Sequence, residues 1–232
     1  MSRNRYLIDR QNILTTGNVM VACECKDPHE RKRIVLTGGP GAGKTALLEL
    51  IRQSFCAHVK VLPEAASVIF GGGFPREDDD SCRRAAQRAI FHVQRELEST
   101  GDGHNPAIVL CDRGTVDGLA YWPGASDEFW RSVGTTIEAE LGRYHAVIHL
   151  RTPALEQGYN HQNPLRTESA EVAAEVDARI ASAWATHPRR FMVESSADFL
   201  DKAARALETL RRELPECCRH HVVPALQQRP VK

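Results

Sequence analysis

Residues 33–50, Arg33 to Leu50, read RIVLTGGPGAGKTALLEL, and this stretch decides the fold. Ile34, Val35 and Leu36 form a short apolar run of the kind that becomes a buried strand. Gly38-Gly39-Pro40-Gly41-Ala42-Gly43-Lys44-Thr45 then supplies the G-x-x-x-x-G-K-[ST] spacing, and a helix-forming segment follows. The glycines open backbone conformations that a Cβ forbids, so successive N–H groups can turn inward around a phosphate. A helix starting near Gly43 aims its free amides and the positive end of its dipole at the same anion. On this reading Gly39, Gly41, Ala42, Gly43, Lys44, Thr45 and Ala46 wrap the phosphates of a nucleotide. Lys44 reaches the β- and γ-phosphates, and the Thr45 hydroxyl binds Mg²⁺. The competing reading, a glycine-rich turn with an incidental lysine, is disfavoured by the placement between an apolar run and a helix.

At 232 residues the chain suits one large α/β domain with appendages. With 30 Lys+Arg against 30 Asp+Glu, net charge makes no case for nucleic acid or an anionic membrane as main partner. No apolar run approaches the roughly 20 residues of a membrane span. The polar N-terminus is not a signal peptide, so a cytoplasmic location is expected. Cys23, Cys25, Cys56, Cys82, Cys111, Cys217 and Cys218 are accordingly read as reduced thiols. Cys23 and Cys25 with His29, and Cys217 and Cys218 with His220 and His221, would make a zinc site joining the two chain ends. Their spacing fits no common zinc pattern, and adjacent cysteines chelate one ion poorly, so no zinc is expected.

Residues 1–31 hold no clear period and read as a loosely ordered extension, with a weak hairpin around Thr16-Gly17-Asn18 as the alternative. After the first helix (about 44–55), Val59 to Leu62 is a second strand closing on Pro63-Glu64. Glu64 thus stands at a strand's C-terminal edge, where open parallel sheets bind ligands. A short helix over 64–70, a glycine-rich loop and an amphipathic helix over 81–100 come next. Ala107 to Leu110 is a strand ending in Cys111-Asp112-Arg113, and an apolar strand closing on Asp places a carboxylate on Mg²⁺ or its water shell. Arg113 points into the phosphate region, or else makes a surface salt bridge. Beyond it the pattern predicts a helix at 126–142, a strand at 146–150 and a mobile, lid-like loop at about 153–168 carrying Arg166. A helix at 168–186, a strand at 189–193 and a helix at 197–213 complete the core of residues 32–214, with 215–232 as a tail. Alternation of strand and helix implies a parallel sheet covered on both faces by right-handed crossovers.

GGPGAGKT, VLPEAA, IVLCDRGTVDGLAYW, IHLRTP and NPLRTESAEVAAEVD occur in that order. Together they resemble the AAA_28-type P-loop proteins, which are similar to the nicotinamide riboside kinase domain and to nucleoside and nucleotide kinases. The resemblance covers about residues 33–212. It implies a three-layer P-loop NTPase fold, with five parallel strands in the order 2-3-1-4-5 and a short lid between the fourth and fifth. It also implies that Glu64 accepts the substrate hydroxyl proton, that Asp112 and Arg113 contact Mg²⁺ and the substrate side, and that Arg166 closes over the transferring phosphate. A eukaryotic relative, the TRPL translocation defect protein, is described as a GTP and phosphoinositide binder.

Two functions follow as expectations. One is a Mg²⁺-dependent kinase moving the γ-phosphate of ATP to a hydroxyl of a nucleoside- or nucleotide-like metabolite, catalysed by Lys44, Glu64, Asp112, Arg113 and Arg166. The other is a nucleotide-dependent switch or slow ATPase or GTPase that binds a protein or lipid partner, with Glu64 positioning water or merely capping the 64–70 helix. The chain has no N-K-x-D guanine-reading segment, which favours ATP over GTP. Ser196 and Asp198, after the fifth strand, are the expected purine wall. Tyr121 is the aromatic candidate for the acceptor pocket, whereas Trp122, Trp130 and Trp184 read as packing residues.

Overall fold

The computed structural model describes residues 23, 25, 27–100, 106–153, 170–196 and 198–219. Five parallel strands form one sheet: β1 Lys32–Thr37, β2 Val59–Leu62, β3 Ile108–Asp112, β4 Ala146–Leu150 and β5 Arg190–Val193. Their order is β2-β3-β1-β4-β5, as the resemblance implied. β1 is central, with Leu36 opposite both Asp112 and Ile148. β2 pairs with β3 and β5 with β4, which places the two edges.

Both faces of the sheet are covered, so the strands read as continuous apolar runs rather than as alternations. Ile34, Leu36, Ile108, Leu110, Ile148 and Leu150 pack against α1 (Lys44–Ser54) and α7 (Phe199–Glu213), through Leu47, Leu48, Ile51, Leu207 and Leu210. Val35, Val109, Cys111 and Val147 point the other way. They meet Phe91 of α3 (Asp80–Thr100), Phe129 and Trp130 of α4 (Ser126–Val133), and Val176 and Ile180 of α6 (Ala170–Ala183). Trp122, Trp130 and Trp184 belong to this second layer, as expected of packing residues.

The helix expected over 126–142 is two helices. α4 stops at Gly134, which takes the left-handed conformation (φ 73°), and α5 (Ile137–Leu141) restarts behind Thr136, whose side chain accepts from the Ala139 amide. A glycine that ends one helix and a threonine that caps the next outweigh the helical period running through both. α5 delivers Glu140, fully buried, to Arg95 and Arg143 (2.8 Å each) and to the Thr115 hydroxyl (2.8 Å). That network seats the 3₁₀ segment Thr115–Ala120, which directly follows Arg113.

α2 (Ala65–Gly71) starts just after Glu64. Residues 215–232, expected as a tail, contain the short helix α8 (Glu216–Arg219), in which Cys218 is buried. The lid region from 154, with Arg166, lies outside the described residues, as do the proposed hairpin near residue 17, His220 and His221. Among the described residues no helix is long and apolar enough to cross a membrane.

Candidate nucleotide and acceptor site

The loop between β1 and α1 follows the conformation its glycines permit. Gly38 has φ 137°, and a Cβ there would stand 2.1 Å from the Leu150 carbonyl oxygen. Gly43 has φ 91°, with its missing Cβ 2.7 Å from the Phe199 ring. Neither position admits another residue without displacing backbone or an aromatic side chain. Beyond the loop, the amides of Lys44, Thr45 and Ala46 have no acceptor among the described residues, as the first turn of a helix requires. They form the anion-attracting end of α1.

Lys44 lies along this loop, its ammonium donating to the carbonyls of Gly38 (2.8 Å) and Gly39 (3.0 Å). Burial and the nearby Arg113 push its pKa down to about 7, against the opposing pull of Asp112, Glu64 and Asp117. One lysine therefore feels all the charged groups expected at the site except Arg166. Asp112, which closes β3, and Glu64, two residues past the end of β2, both act on the Lys44 charge.

Asp112 closes β3, and its Oδ1 is buried without a hydrogen-bond partner among the described residues. Burial and Glu64 push its pKa up to about 6, although Lys44 and Arg113 favour the charge. A buried carboxylate oxygen with no donor is costly unless a cation completes it. A hard divalent cation held by oxygens suits that carboxylate, and the exposed Thr45 hydroxyl, next to Lys44 in the chain, would be a second oxygen. Asp112 and Thr45 would hold Mg²⁺ here.

Arg113 is the only non-glycine residue with positive φ (69°) among the described residues. That turn sends its guanidinium back along the sheet edge, where Nε donates to Glu64 Oε1 (2.6 Å) and Nη1 to Asp117 Oδ1 (3.3 Å). Asp117 also accepts from the Thr37 hydroxyl, the Gly114 amide (3.0 Å) and Trp184 Nε1 (3.0 Å). The guanidinium lies over the Tyr121 ring, 5.7 Å from its centre. Burial would raise the Glu64 carboxyl, but Arg113, the Ser67 hydroxyl (2.5 Å) and Lys44 outweigh it and hold the pKa below the usual carboxylate range. Arg113 is thus a buried organiser rather than a surface ion pair. Glu64 makes no side-chain cap bond to α2, so capping does not explain it.

Glu64, Arg113, Asp117 and Tyr121 open into a cleft of about 940 Å³ between α2, α3 and α6, also lined by Phe70 and Arg179. Ser196 and Asp198 stand just before α7, whose first residue, Phe199, lies against Gly43. Asp198 caps α7, accepting from the Leu200 amide (2.8 Å), and Ser196 Oγ accepts from the Asp198 amide (3.3 Å).

Several residues that shape the site were not singled out by the sequence reading. Asp117 follows Arg113 at i+4, a spacing that could have flagged the pair. Asp177, inside α6, accepts from the Gly39 amide (2.8 Å) and pairs with the buried His149 (2.8 Å) and with Arg151 (2.8 Å). Lys202 of α7 is buried and donates to the carbonyls of Ala42 (2.8 Å) and Arg151 (2.5 Å). Helical period marks both only as helix residues, so nothing local reveals that they brace the phosphate loop.

A five-stranded 2-3-1-4-5 sheet with this loop after its central strand is the P-loop fold, which this chain shares with solved kinases. The sequence matches the AAA_28 family (AAA domain) over residues 33–202, and the chain belongs to that family. It is similar in structure to the thymidylate kinase from Candida albicans (TM-score 0.53, 12% identity, 82% of this chain and 97% of that one). It is also similar to NadR in complex with NR (TM-score 0.59, 16% identity, 80% of this chain and 52% of that one). No curated protein matches the sequence.

Proposed function

We propose that this protein is a Mg²⁺-dependent kinase that transfers the γ-phosphate of ATP to a hydroxyl of a small, nucleoside- or nucleotide-like metabolite in the cytoplasm. The observation that carries the proposal is the unpartnered, buried Oδ1 of Asp112 beside Lys44, with Glu64 and Arg113 opening directly into a separate cleft. A metal-ready carboxylate at the phosphate loop and a second carboxylate facing an adjoining pocket are what a two-substrate phosphoryl transfer needs.

The free amides of α1 and Lys44 bind the terminal phosphates and meet charge as the bond from Pγ to the β-bridging oxygen breaks. Mg²⁺ held by Asp112 and Thr45 would neutralise phosphate charge. Glu64, fixed by Arg113 and Ser67, orients the acceptor hydroxyl whose oxygen forms the new bond to phosphorus. Its lowered pKa makes it a weak base, so Glu64 takes the hydroxyl proton late, as the oxygen–phosphorus bond forms and ADP departs. Ser196, Asp198 and Phe199 flank the loop where the base would lie, and Arg166 would cover the transferring group. Likeness to a thymidylate kinase and to an NR-bound NadR supports a nucleoside-like acceptor, and the missing N-K-x-D segment supports ATP.

One observation favours the alternative, a nucleotide-dependent switch or slow NTPase with a protein or lipid partner. Both Glu64 oxygens are already engaged, by Arg113 and Ser67. A screen of hydroxyl-bearing metabolites with γ-labelled ATP separates the readings. The kinase predicts label in at least one nucleoside or nucleotide; binding of ATP with no labelled acceptor rejects it. Calorimetry with Mg²⁺–ATP and Mg²⁺–GTP tests the base, with tighter ATP binding expected.

A further inference from the structure

The edge of the sheet opposite the phosphate loop gathers soft ligands from three distant segments. Cys23, Cys25 and His29 precede β1, Cys56 and His58 connect α1 to β2, and Cys217 and Cys218 lie in α8. Cys218 Sγ is 3.6 Å from Cys23 Sγ, 3.5 Å from Cys217 Sγ, 3.3 Å from Cys56 Sγ and 3.1 Å from His58 Nδ1. His29 Nε2 is 3.4 Å from Cys217 Sγ and 3.5 Å from Cys25 Sγ. All these cysteines are free.

Such spacings have a specific meaning. Zinc bonds of about 2.3 Å to sulfur and about 2.0 Å to nitrogen give tetrahedral edges of about 3.8 Å (S···S) and about 3.6 Å (S···N). The Cys218 sulfur edges to Cys23 and Cys217 (3.6 and 3.5 Å) come within about 0.3 Å of these and its edge to His58 (3.1 Å) within about 0.5 Å, whereas disulfide sulfurs stand about 2.05 Å apart. Two quartets have all their ligand atoms within 4.8 Å of one another: Cys23, His58, Cys217 and Cys218, and Cys25, His29, His58 and Cys217. They share His58 and Cys217, so they describe one centre. The first quartet contains the buried Cys218 and has the Cys₃His composition of closed structural zinc sites. Thiolate and imidazole in a tetrahedron select zinc over the hard cations that suit Asp112.

We propose that Cys23, His58, Cys217 and Cys218 hold a structural zinc ion that clasps the segment entering β1 to the C-terminal helix α8. All four positions are filled by protein, and the site lies at the far edge of the sheet from Lys44 and Asp112, so the ion braces the fold and takes no part in phosphoryl transfer. It ties residues 195 positions apart, which shortens the free chain of the unfolded state and couples metal binding to folding. A zinc ion here departs from the expectation that the cysteines bind no zinc, while they remain free thiols as expected. Adjacent cysteines serve one ion here because α8 sets their sulfurs 3.5 Å apart, and the histidine comes from the α1–β2 connection rather than from residues 220 and 221.

The test uses the full chain without a polyhistidine tag, purified under reducing conditions with no added metal. Elemental mass spectrometry is expected to find about one zinc per chain. Cys23→Ser and Cys218→Ser should lower that content at least about ten-fold, while Cys25→Ser and Cys82→Ser leave it unchanged. Because Cys218→Ser also disturbs buried packing, zinc-edge X-ray absorption on the wild type gives an independent reading, three sulfurs and one nitrogen. A chelator should lower the melting temperature of the wild type by about 3 °C or more and leave that of Cys218→Ser unmoved. A zinc-free wild type that takes up no added Zn²⁺, a shell of two sulfurs and two nitrogens, or disulfides among these cysteines would each overturn the proposal.

Discussion

Asp112 and Glu64 stand at the ends of adjacent strands and feel the same Lys44 and Arg113, yet their acidities are displaced in opposite directions. At the phosphate end, Asp112 has a buried oxygen with no donor among the described residues, and burial wins. At the acceptor end, Glu64 has a guanidinium on one oxygen and a hydroxyl on the other, and pairing wins. Neighbouring carboxylates whose environments separate their pKa values take different roles. The underpaired one is poised for a cation; the paired one holds a fixed direction into the cleft, with a lone pair left on each oxygen.

The strongest way to break this comparison is to remove the group that both ends share. Lys44→Ala should lower turnover by about 10³-fold and abolish calorimetric binding of Mg²⁺–ATP at micromolar protein, since one well-placed cation at a phosphoryl group contributes on that scale. Undiminished binding would mean that the loop does not hold the phosphates. Glu64→Gln keeps the shape and removes the charge. It should lower acceptor phosphorylation by about 10²-fold with nucleotide affinity nearly unchanged, the low end for a positioned acid–base group because Glu64 is a weak base. An equal loss in both quantities would place Glu64 at the nucleotide instead.

Asp112→Asn sharpens the contrast through stability. The Asp112 pKa rises from its ordinary 3.8 to about 6 in the folded protein. Its contribution to stability is therefore present below pH 3.8 and lost as pH rises through about 6. The asparagine variant escapes that loss, so without nucleotide it should melt about 5 °C above the wild type at pH 8. The gap should close as pH falls from about 6 towards 4. Calorimetric melts across pH test this, and Mg²⁺-dependent activity should fall in the same variant. Trp184→Phe is the mildest change for turnover, removing one of the donors on Asp117. With the bond to a buried carboxylate lost and a small void left at a fully buried site, it should cost about 2–3 kcal/mol in the same melts and weaken turnover only slightly, by loosening Arg113.

Much of this contrast is legible in the sequence. Apolar runs closing on Glu64 and on Asp112 put both carboxylates at one sheet edge, and the glycine spacing puts Lys44 beside them. What those runs do not disclose is partnership. Arg113 reaches Glu64 because of a single positive φ, and its far side is held by Asp117, which Trp184 anchors from the end of α6. The break at Gly134 was likewise hidden beneath a helical period, although it places Glu140 under the Thr115 turn.

By itself, then, the sequence determined the parallel sheet, the phosphate-binding loop and the identity of both carboxylates, since strand runs, glycine spacing and strand-end acids are local patterns. Only the tertiary structure decided that Asp112 is short of a partner among the described residues while Glu64 is paired at both oxygens, that Asp177 and Lys202 brace the loop, and that five cysteines and two histidines converge at the opposite edge. Each of these depends on burial and on contacts between residues far apart along the chain, and neither has a period that a linear reading can follow.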